Sequence, residues 1–397
     1  MTDLGPVESQ PRVPPEVSVE VIDDRQRLPA LVPSWEVLWQ ESGPDSVFLS
    51  QDWLLPWWDR HGAGKALNIV LVREGRELIG LAPWCVETKW GSRSLRTIGH
   101  GFIDYEGVLA VREREVEVAA ALREWLGASC DYDEAVFERL PVEGLLWRLM
   151  AEGRCPERTS AYWETDTSTT ASYVDFSRGW MQFEGCLTRK LRADTDRRIR
   201  RLSEQGSLAL RVVRTHEELG AAFDTFLGWK QIRHKQRYQR EDLVHGEGGF
   251  WGEAGVAAYY REVAARLLAN DRLAFSCLDV NGKMVSAIFG MEKEGVYFHF
   301  ATTFSLDYAA YSVGRMHIWM LIQELSTRGF HRFDFLVGHE QYKKDLAAQS
   351  RPLMQVCMRR LDKGAWVRGL APWAVGVLER QSWFQRSYRW MKERVAS

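Results

Sequence analysis

The sequence predicts an α+β fold in which two similar domains each build a mixed, mainly antiparallel sheet flanked by helices. Three observations lead to this prediction. The chain has 397 residues, more than one hydrophobic core ordinarily holds, so two domains are expected. Its content of 45% hydrophobic and 27% charged residues is typical of a globular protein. In both halves, period-two alternation and helical spacing follow one another, which indicates strands interleaved with helices.

The predicted boundaries follow changes in composition. Residues 1–15 contain four prolines and little apolar content, and we expect them to be a disordered lead. A stretch rich in threonine and serine, residues 165–172, separates a first domain at 16–165 from a second domain at 170–362. Residues 363–397 mix tryptophan with lysine and arginine and predict an amphipathic helical tail. Such a tail either packs on its own domain or makes peripheral contact with a membrane.

In the first domain, a strand and two helices precede a run of strands. Ser50 is the expected N-cap of the second, aromatic helix, and Pro83 is expected to interrupt a strand. Glycines bracket a loop at 99–107 that contains Asp104 and Tyr105. The predicted strands are residues 17–22, 67–72, 78–86, 94–98 and 134–140. The other predicted helices are residues 28–39, 113–126 and 145–152.

The second domain is predicted to repeat this scheme. It begins with a strand at 172–175 and a single long helix at 180–205, and Asn281-Gly282 signals a hairpin turn. The further predicted strands are residues 208–213, 273–280, 283–292, 295–303, 331–336 and 353–360. The further predicted helices are residues 217–239, 255–270 and 312–328.

Bulk properties exclude several classes of function. The net charge of −2 argues against global binding of polyanions. The six cysteines form no CxxC pair or metal-type spacing, so we expect reduced thiols, a cytoplasmic location and no metal site. No apolar run approaches the ~18 residues that a membrane helix needs. The 18 tryptophans predict either aromatic-lined pockets or well-filled cores.

A dense polar cluster follows the predicted strand at 331–336. The strand carries Asp334, and Gly338 ends it. The residues that follow in the cluster are His339, Glu340, Tyr342 and Lys343. In α/β proteins, catalytic and binding groups commonly lie just past the ends of strands. The plainer interpretation is an exposed loop with solvated charges.

A candidate anion site lies at the start of the predicted helix at 312–328. Its residues are Ser312, Val313, Gly314 and Arg315. The first N–H groups of a helix are unpaired and partly positive, small residues let an anion approach, and an arginine adds a cation. This pattern predicts a phosphate or pyrophosphate site, and the alternative is a serine that only caps the helix.

Positive charge concentrates between residues 187 and 240, which hold fourteen Lys and Arg against six Asp and Glu. The basic helix at 189–201 either contacts a polyanion, such as tRNA or a phosphorylated donor, or is the solvated face of an amphipathic helix. Four residues continue this stretch at helical spacing and are candidates for a substrate pocket: Trp229, Lys230, Arg233 and His234.

Several stretches occur in an order that one protein group shares. They are the pattern FxSxxWL…W at 48–58, the basic helix before Gly206, Asn281-Gly282-Lys283 with Ala287, Ser312 to Arg315, and the pattern FDFxxGxxxYK at 333–343. Together they resemble the CelD-like acyltransferases of cellulose biosynthesis, a group of the GNAT superfamily. This group is related in architecture to the Fem-type aminoacyl transferases.

The resemblance implies tandem GNAT-like domains and transfer of an activated acyl group to a small-molecule amine acceptor. It implies acyl-CoA as the co-substrate, with its pyrophosphate at Ser312 to Arg315. Fem-type relatives use aminoacyl-tRNA instead, and the basic helix at 189–201 keeps that alternative open. A non-catalytic GNAT-like binding module is the third alternative.

The leading hypothesis is direct attack of a neutral amine on the donor carbonyl. Backbone N–H groups would polarise that carbonyl, and a general base would take the proton of the amine. The candidate bases are Asp334, His339 and Glu340. Tyr342 would protonate the leaving group and Lys343 would neutralise charge, while Asp104 and Tyr105 would bind the acceptor.

Overall fold

The computed structural model describes residues 16–89, 91–151, 159–160, 169–238, 254–338, 340–346 and 348–360. The lead predicted at 1–15 and the tail predicted at 363–397, with its membrane contact, lie outside these residues, and so does His339. The side chain of His234 is likewise outside the description.

Strands form where the sequence alternates. They are β1 (Val17–Ile22), β2 (Ala66–Glu74), β3 (Glu77–Lys89), β4 (Ser92–Thr97), β5 (Leu109–Ala110), β6 (Glu134–Pro141), β7 (Thr159–Ser160), β8 (Thr170–Asp175), β9 (Leu208–Val212), β10 (Ser276–Val280), β11 (Lys283–Lys293), β12 (Val296–Phe304), β13 (Arg332–Val337) and β14 (Gln349–Arg360). The expected interruption at Pro83 is wrong, because β3 continues through it. On one edge, β3 pairs with β5 up to Leu81 and with β4 from Trp84 onwards. The missing N–H of Pro83 falls in the gap between these two partner strands, so no ladder hydrogen bond is lost.

Helices occupy the predicted places with two exceptions, the division of the helix predicted at 180–205 and an unpredicted short helix at Gln341–Asp345. They are α1 (Leu28–Glu41), α2 (Gln51–His61), α3 (Glu115–Ala128), α4 (Leu145–Ala151), α5 (Trp180–Cys186), α6 (Arg189–Ser203), α7 (His216–Tyr238), α8 (Ala254–Ala269), α9 (Val313–Thr327) and α10 (Gln341–Asp345). The single helix predicted at 180–205 is wrong, because Leu187 is extended and Thr188 caps a new helix by accepting a hydrogen bond from the Leu191 N–H at 3.2 Å. None of the described helices is long and apolar enough to span a membrane.

The strands form one continuous mixed sheet in the order β1-β2-β3-β4-β6-β14-β8-β13-β12-β11-β10-β9. The order β1-β2-β3-β4-β6 in the first half corresponds to β9-β10-β11-β12-β13 in the second, and in both the last two strands are parallel. The repeated mixed sheet flanked by helices is therefore confirmed. β14 joins the halves, because its first residues pair with β8 and its later residues pair with β6.

A shared aromatic core joins the two halves. Trp53 of α2 stacks on Phe289 of β11 with ring centroids 6.1 Å apart, and its indole N–H points at the sulfur of Met291 at 3.2 Å. The Tyr259 hydroxyl of α8 donates to the Trp53 carbonyl at 3.2 Å. Ser50 stands at the predicted N-cap of α2 but makes no capping hydrogen bond. The aromatic pattern at 48–58 therefore fills the core between the halves.

Candidate functional site

The second half contains an opening between two parallel strands. β12 and β13 pair only from Val296 and Arg332 to Phe298 and Asp334, although β12 continues to Phe304. Both strands carry a bulge just beyond the last pair, at Phe300 in β12 and between Asp334 and Val337 in β13. Bulges bend strands and leave backbone groups without a ladder partner. We call this gap the second opening.

Asp334 lies at the closed end of the second opening and is fully buried. Its Oδ1 accepts hydrogen bonds from the Tyr105 hydroxyl at 2.7 Å and from the Leu336 N–H at 2.8 Å. Its Oδ2 accepts one from Arg351 at 3.2 Å. Burial raises the pKa of Asp334, while Arg351 and the two donors oppose that rise. The structure thus places this predicted base among protein groups rather than on an accessible surface.

The polar cluster after β13 is held by Lys343. Its ammonium is almost fully buried and donates to the carbonyls of Phe335, Val337 and Gly338 at 3.2, 3.2 and 3.3 Å. It also lies 2.9 Å from a carboxylate oxygen of the half-exposed Glu340. The cation therefore closes the end of β13 and leaves Glu340 directed towards solvent.

Tyr342 lies beside this cluster and is partly buried. Its ring meets the ring of Phe335 edge to face at 5.8 Å. Burial raises the pKa of its hydroxyl, so the phenol stays protonated at neutral pH.

The glycine-bracketed loop of the first half reaches the second opening. Asp104 accepts a hydrogen bond from the Val337 backbone and lies 3.4 Å from the Arg139 guanidinium. Burial raises the pKa of Asp104, although Arg139 and Lys343 lower it. Tyr105, by contrast, is fully buried, and its hydroxyl binds Asp334 instead of facing an accessible surface. Of this predicted acceptor-binding pair, only Asp104 stands at the opening.

The start of α9 is free of acidic residues. Ser312 takes a left-handed conformation, with φ 55°, and its side chain makes no capping bond. Its hydroxyl instead accepts a hydrogen bond from Arg198 at 2.7 Å. Arg315 pairs with Asp345 at 3.3 Å. Gly314 is required here, because a Cβ would stand 2.9 Å from the Phe304 ring. The guanidinium groups of Arg198 and Arg315 therefore meet beside the first turn of α9, at the end of β12.

A basic groove extends from this helix start. It encloses about 900 Å³ between the first turns of α6, the start of α9 and the end of α10. Its basic lining residues are Lys190, Arg197, Arg198, Arg315 and Lys344, and its acidic ones are Asp194 and Asp345. Arg197 and Arg198 pair with Asp194 at 2.5 and 2.7 Å. The excess of cations makes the groove attractive to anions.

All four predicted pocket residues lie on α7, which packs on β12. Trp229 and Lys230 are partly buried. Burial lowers the pKa of Lys230 to about 8, and the nearby Glu340 opposes this. The Arg233 guanidinium stacks on the Phe304 ring at 3.9 Å. Lys230 and Arg233 therefore approach the second opening, and His234 lies outside the described side chains.

Two residues at the opening carry no local sequence signal. His299, the first residue of β12 beyond the pairing, is buried between Phe333 and Phe335, and burial lowers its pKa far below the ordinary value. Arg351 binds Asp45, 306 residues away in the chain, at 2.8 and 3.0 Å. His299 gave no signal because it occurs within an ordinary strand pattern. Arg351 gave none because its partners are distant in the sequence and meet it only in the folded protein.

Comparisons with known proteins bear on this geometry. Residues 189–344, which contain the second opening and the start of α9, match the family model described as an acetyltransferase (GNAT) domain. No curated protein matches the chain. Among solved structures, FemX aligns with a TM-score of 0.55 at 9% identity, covering 82% of this chain and 95% of that one. A conserved protein of unknown function from Bacteroides thetaiotaomicron VPI-5482 aligns with a TM-score of 0.50 at 12% identity, covering 86% and 100%.

At these identities the structural likenesses concern the fold, and they extend over both halves of the chain. The family match covers only the second half. Residues 189–344 are therefore similar to acetyltransferase (GNAT) domains.

Proposed function

We propose that this protein is an N-acyltransferase that moves an acyl group from an acyl-CoA thioester to a small-molecule amine. The observation that carries the proposal is the second opening beside a basic helix start. Beyond Phe298 the edge of β12 that faces the opening has no strand partner among the described residues, so it can bind an extended amide-bearing arm. The backbone of β13 beyond Asp334 is already bound by Asp104 and Lys343. The start of α9 with Arg198 and Arg315 then suits the phosphates at the end of that arm.

The reaction forms a carbon–nitrogen bond and breaks the carbon–sulfur bond of the thioester. The acceptor must attack as a neutral amine, so a base takes one proton from its ammonium form. We assign this role to Asp104, because it stands at the opening and burial makes its carboxylate more basic. Glu340 is the alternative, although its side chain is 56% exposed and paired with Lys343. Asp334, with both oxygens bound inside the protein, holds the strand end instead.

Other groups supply the remaining steps. A backbone N–H near the bulge of β12 would donate to the carbonyl oxygen as negative charge develops there. The thiolate leaves and takes a proton, for which the protonated Tyr342 is the candidate donor. Lys230 and Arg233 would contact an anionic part of donor or acceptor at the end of β12.

The proposal is tested with the purified full-length chain. Binding of CoA, acetyl-CoA and longer acyl-CoA esters is measured by calorimetry, and thiol release is followed with a panel of primary amines. Binding of at least one thioester together with amine-dependent thiol release is expected. Absence of binding to every thioester would contradict the acyl-CoA proposal.

A second candidate donor is aminoacyl-tRNA, as in the Fem-type transferases. The basic groove favours it, because its cations extend beyond the start of α9 along α6. Amide formation that is destroyed by ribonuclease and falls on replacing Arg197 and Arg198 by Ala would support this donor. Failure of both donors, with a stable protein complex instead, would favour a non-catalytic binding module.

A further inference from the structure

A buried arginine connects the two halves beneath the second opening. Arg351, at the start of β14, has only 8% of its side chain exposed. Its guanidinium binds Asp45 of the first half at 2.8 and 3.0 Å and Asp334 of β13 at 3.2 Å. It lies 4.6 Å from the centroid of the Tyr105 ring. Four residues from four separate segments thus form one network, and Arg351 also lies 3.8 Å from the exposed Glu143.

This network controls the backbone on the β13 side of the opening. Asp334 binds the N–H of Leu336, which has a φ of 57°. A branched residue in the left-handed region persists only where its surroundings hold it. The bulge at this point turns Val337 so that its backbone hydrogen-bonds Asp104 and its carbonyl accepts from Lys343 at 3.2 Å.

The same network controls the loop on the first-half side. The Tyr105 hydroxyl binds Asp334 at 2.7 Å, and its ring lies against Arg351. Asp104 is the neighbouring residue in the chain, so the anchored tyrosine limits where its carboxylate can stand.

We propose that Arg351 and Asp334 are positioning residues that hold Asp104 of the first half and Lys343 of the second half in register across the second opening. The catalytic part of this inference rests on the proposed acyl transfer. The positional part is independent of the proposed function, because it concerns only how firmly two backbone segments are held in place.

The chain offers a matched control at the opposite end of the strands. Arg272 also joins the halves, with 9% of its side chain exposed. It binds Asp52 at 2.7 Å, pairs with Glu36, and stacks on Trp39 at 4.0 Å. Its partners lie far from Asp104 and Lys343, near the β11–β12 turn where Lys293 contacts the Trp39 carbonyl. The two arginines therefore share chemistry and burial but not location.

The experiment compares Arg351→Lys with Arg272→Lys in the full-length protein. Lysine keeps the charge but loses the forked geometry that binds two carboxylates. Both variants are expected to lower the unfolding midpoint. Only Arg351→Lys is expected to speed amide hydrogen exchange in both segments 98–108 and 334–346. It should also lower kcat at least about tenfold while the Kd for CoA stays within about twofold.

Similar exchange and kcat in the two variants would overturn the proposal, because the arginine would then contribute stability alone. If Arg351→Lys does not fold, Tyr105→Phe decides, since it removes one hydrogen bond and keeps the ring. Faster exchange at both segments supports the proposal, and unchanged exchange overturns it. If the unaltered protein transfers no acyl group, the proposed function fails, but the exchange comparison still decides the positional inference.

Discussion

The two halves of the protein carry the same opening with different contents. In the first half β4 and β6 pair in parallel only at Ser94 with Glu134 and at Leu95 with Ala135, and then diverge as β12 and β13 do. In each half the second strand of the parallel pair has a bulge with a left-handed residue, Arg139 at φ 53° in β6 and Leu336 at φ 57° in β13. The backbones therefore correspond, and the side chains make the difference.

We call the gap between β4 and β6 beyond Leu95 and Ala135 the first opening, and the carboxyl group of Glu106 fills it. Oε2 of Glu106 accepts from the Thr97 hydroxyl of β4 at 2.7 Å and from the Glu138 N–H of β6 at 3.3 Å, so it bridges the diverging strands. Arg96 and Glu138 form a second link at 3.5 Å. In the described part of the second half, no side chain bridges β12 and β13 in this way.

The two helix starts also differ in charge. The first turn of α3 carries Glu115 and Glu117, whereas that of α9 carries no acid and contains Arg315. Acidic side chains complement the positive end of a helix and repel a phosphate from it. The same backbone arrangement can therefore form either a gap closed by side chains, as in the first half, or an open gap suited to a ligand, as in the second. A few side chains at the gap and at the neighbouring helix start decide between the two.

Of the variants that test this comparison, Asp104→Asn should have the largest effect, which is a loss of kcat. The amide cannot take a proton from the acceptor, so we expect kcat to fall about 100-fold or more. Glu106→Gln, two residues along the same loop, keeps the bridge across the first opening and should leave kcat within about threefold. Thiol release under saturating substrates measures both. Equal losses in the two variants would contradict the assignment of Asp104 as the base.

Glu106 should make stability depend on pH. Burial raises its pKa to about 7 from the ordinary 4.5. Between these values the folded state binds the Glu106 proton more than the unfolded state does, so the stabilising contribution of Glu106 is full below about pH 4.5 and is lost as pH rises towards 7. The full loss corresponds to about 3 kcal/mol.

The Glu106→Gln variant should remove that dependence. We expect its free energy of unfolding in urea to exceed that of the unaltered protein at pH 8 and to match it near pH 4.5. Glu138→Gln, at a partly buried neighbour whose charge contributes to the raised pKa of Glu106, should reduce the pH dependence only in part. A Glu106→Gln variant with the original pH dependence would show that another group is responsible.

Reversing the charge of one helix start should have a smaller effect, on donor affinity. Arg315→Glu places an anion at the proposed phosphate site, and we expect the Kd for CoA to rise about tenfold. Glu115→Arg makes the opposite change at the start of α3 and should leave that Kd unchanged. Calorimetry with CoA compares the two. If the Kd for CoA rises with Arg315→Glu and falls by a similar factor with Glu115→Arg, binding depends on the overall charge of the protein instead of on this site.

Sequence periodicity predicted most elements, and the outcome shows where it stops. The order of strands and helices was readable because alternation and helical spacing are local. The break in the helix predicted at 180–205 was missed because Thr188 acts through one capping bond within a continuous amphipathic run. The polar cluster after β13 was found, but the role predicted for Asp334 depends on contacts with Tyr105 and Arg351.

By itself the sequence determined the repeated α+β order, the helix start at Ser312 to Arg315 and the acidic and basic residues after Gly338, because each depends on neighbours within a few residues. Only the tertiary structure decided that Asp334 is enclosed, that Asp104 reaches the second opening, and that Glu106 closes the first. These outcomes depend on strand β14, which joins the halves, and on partners up to 306 residues apart. Burial then sets the protonation of each group, and burial is a property of the packed molecule.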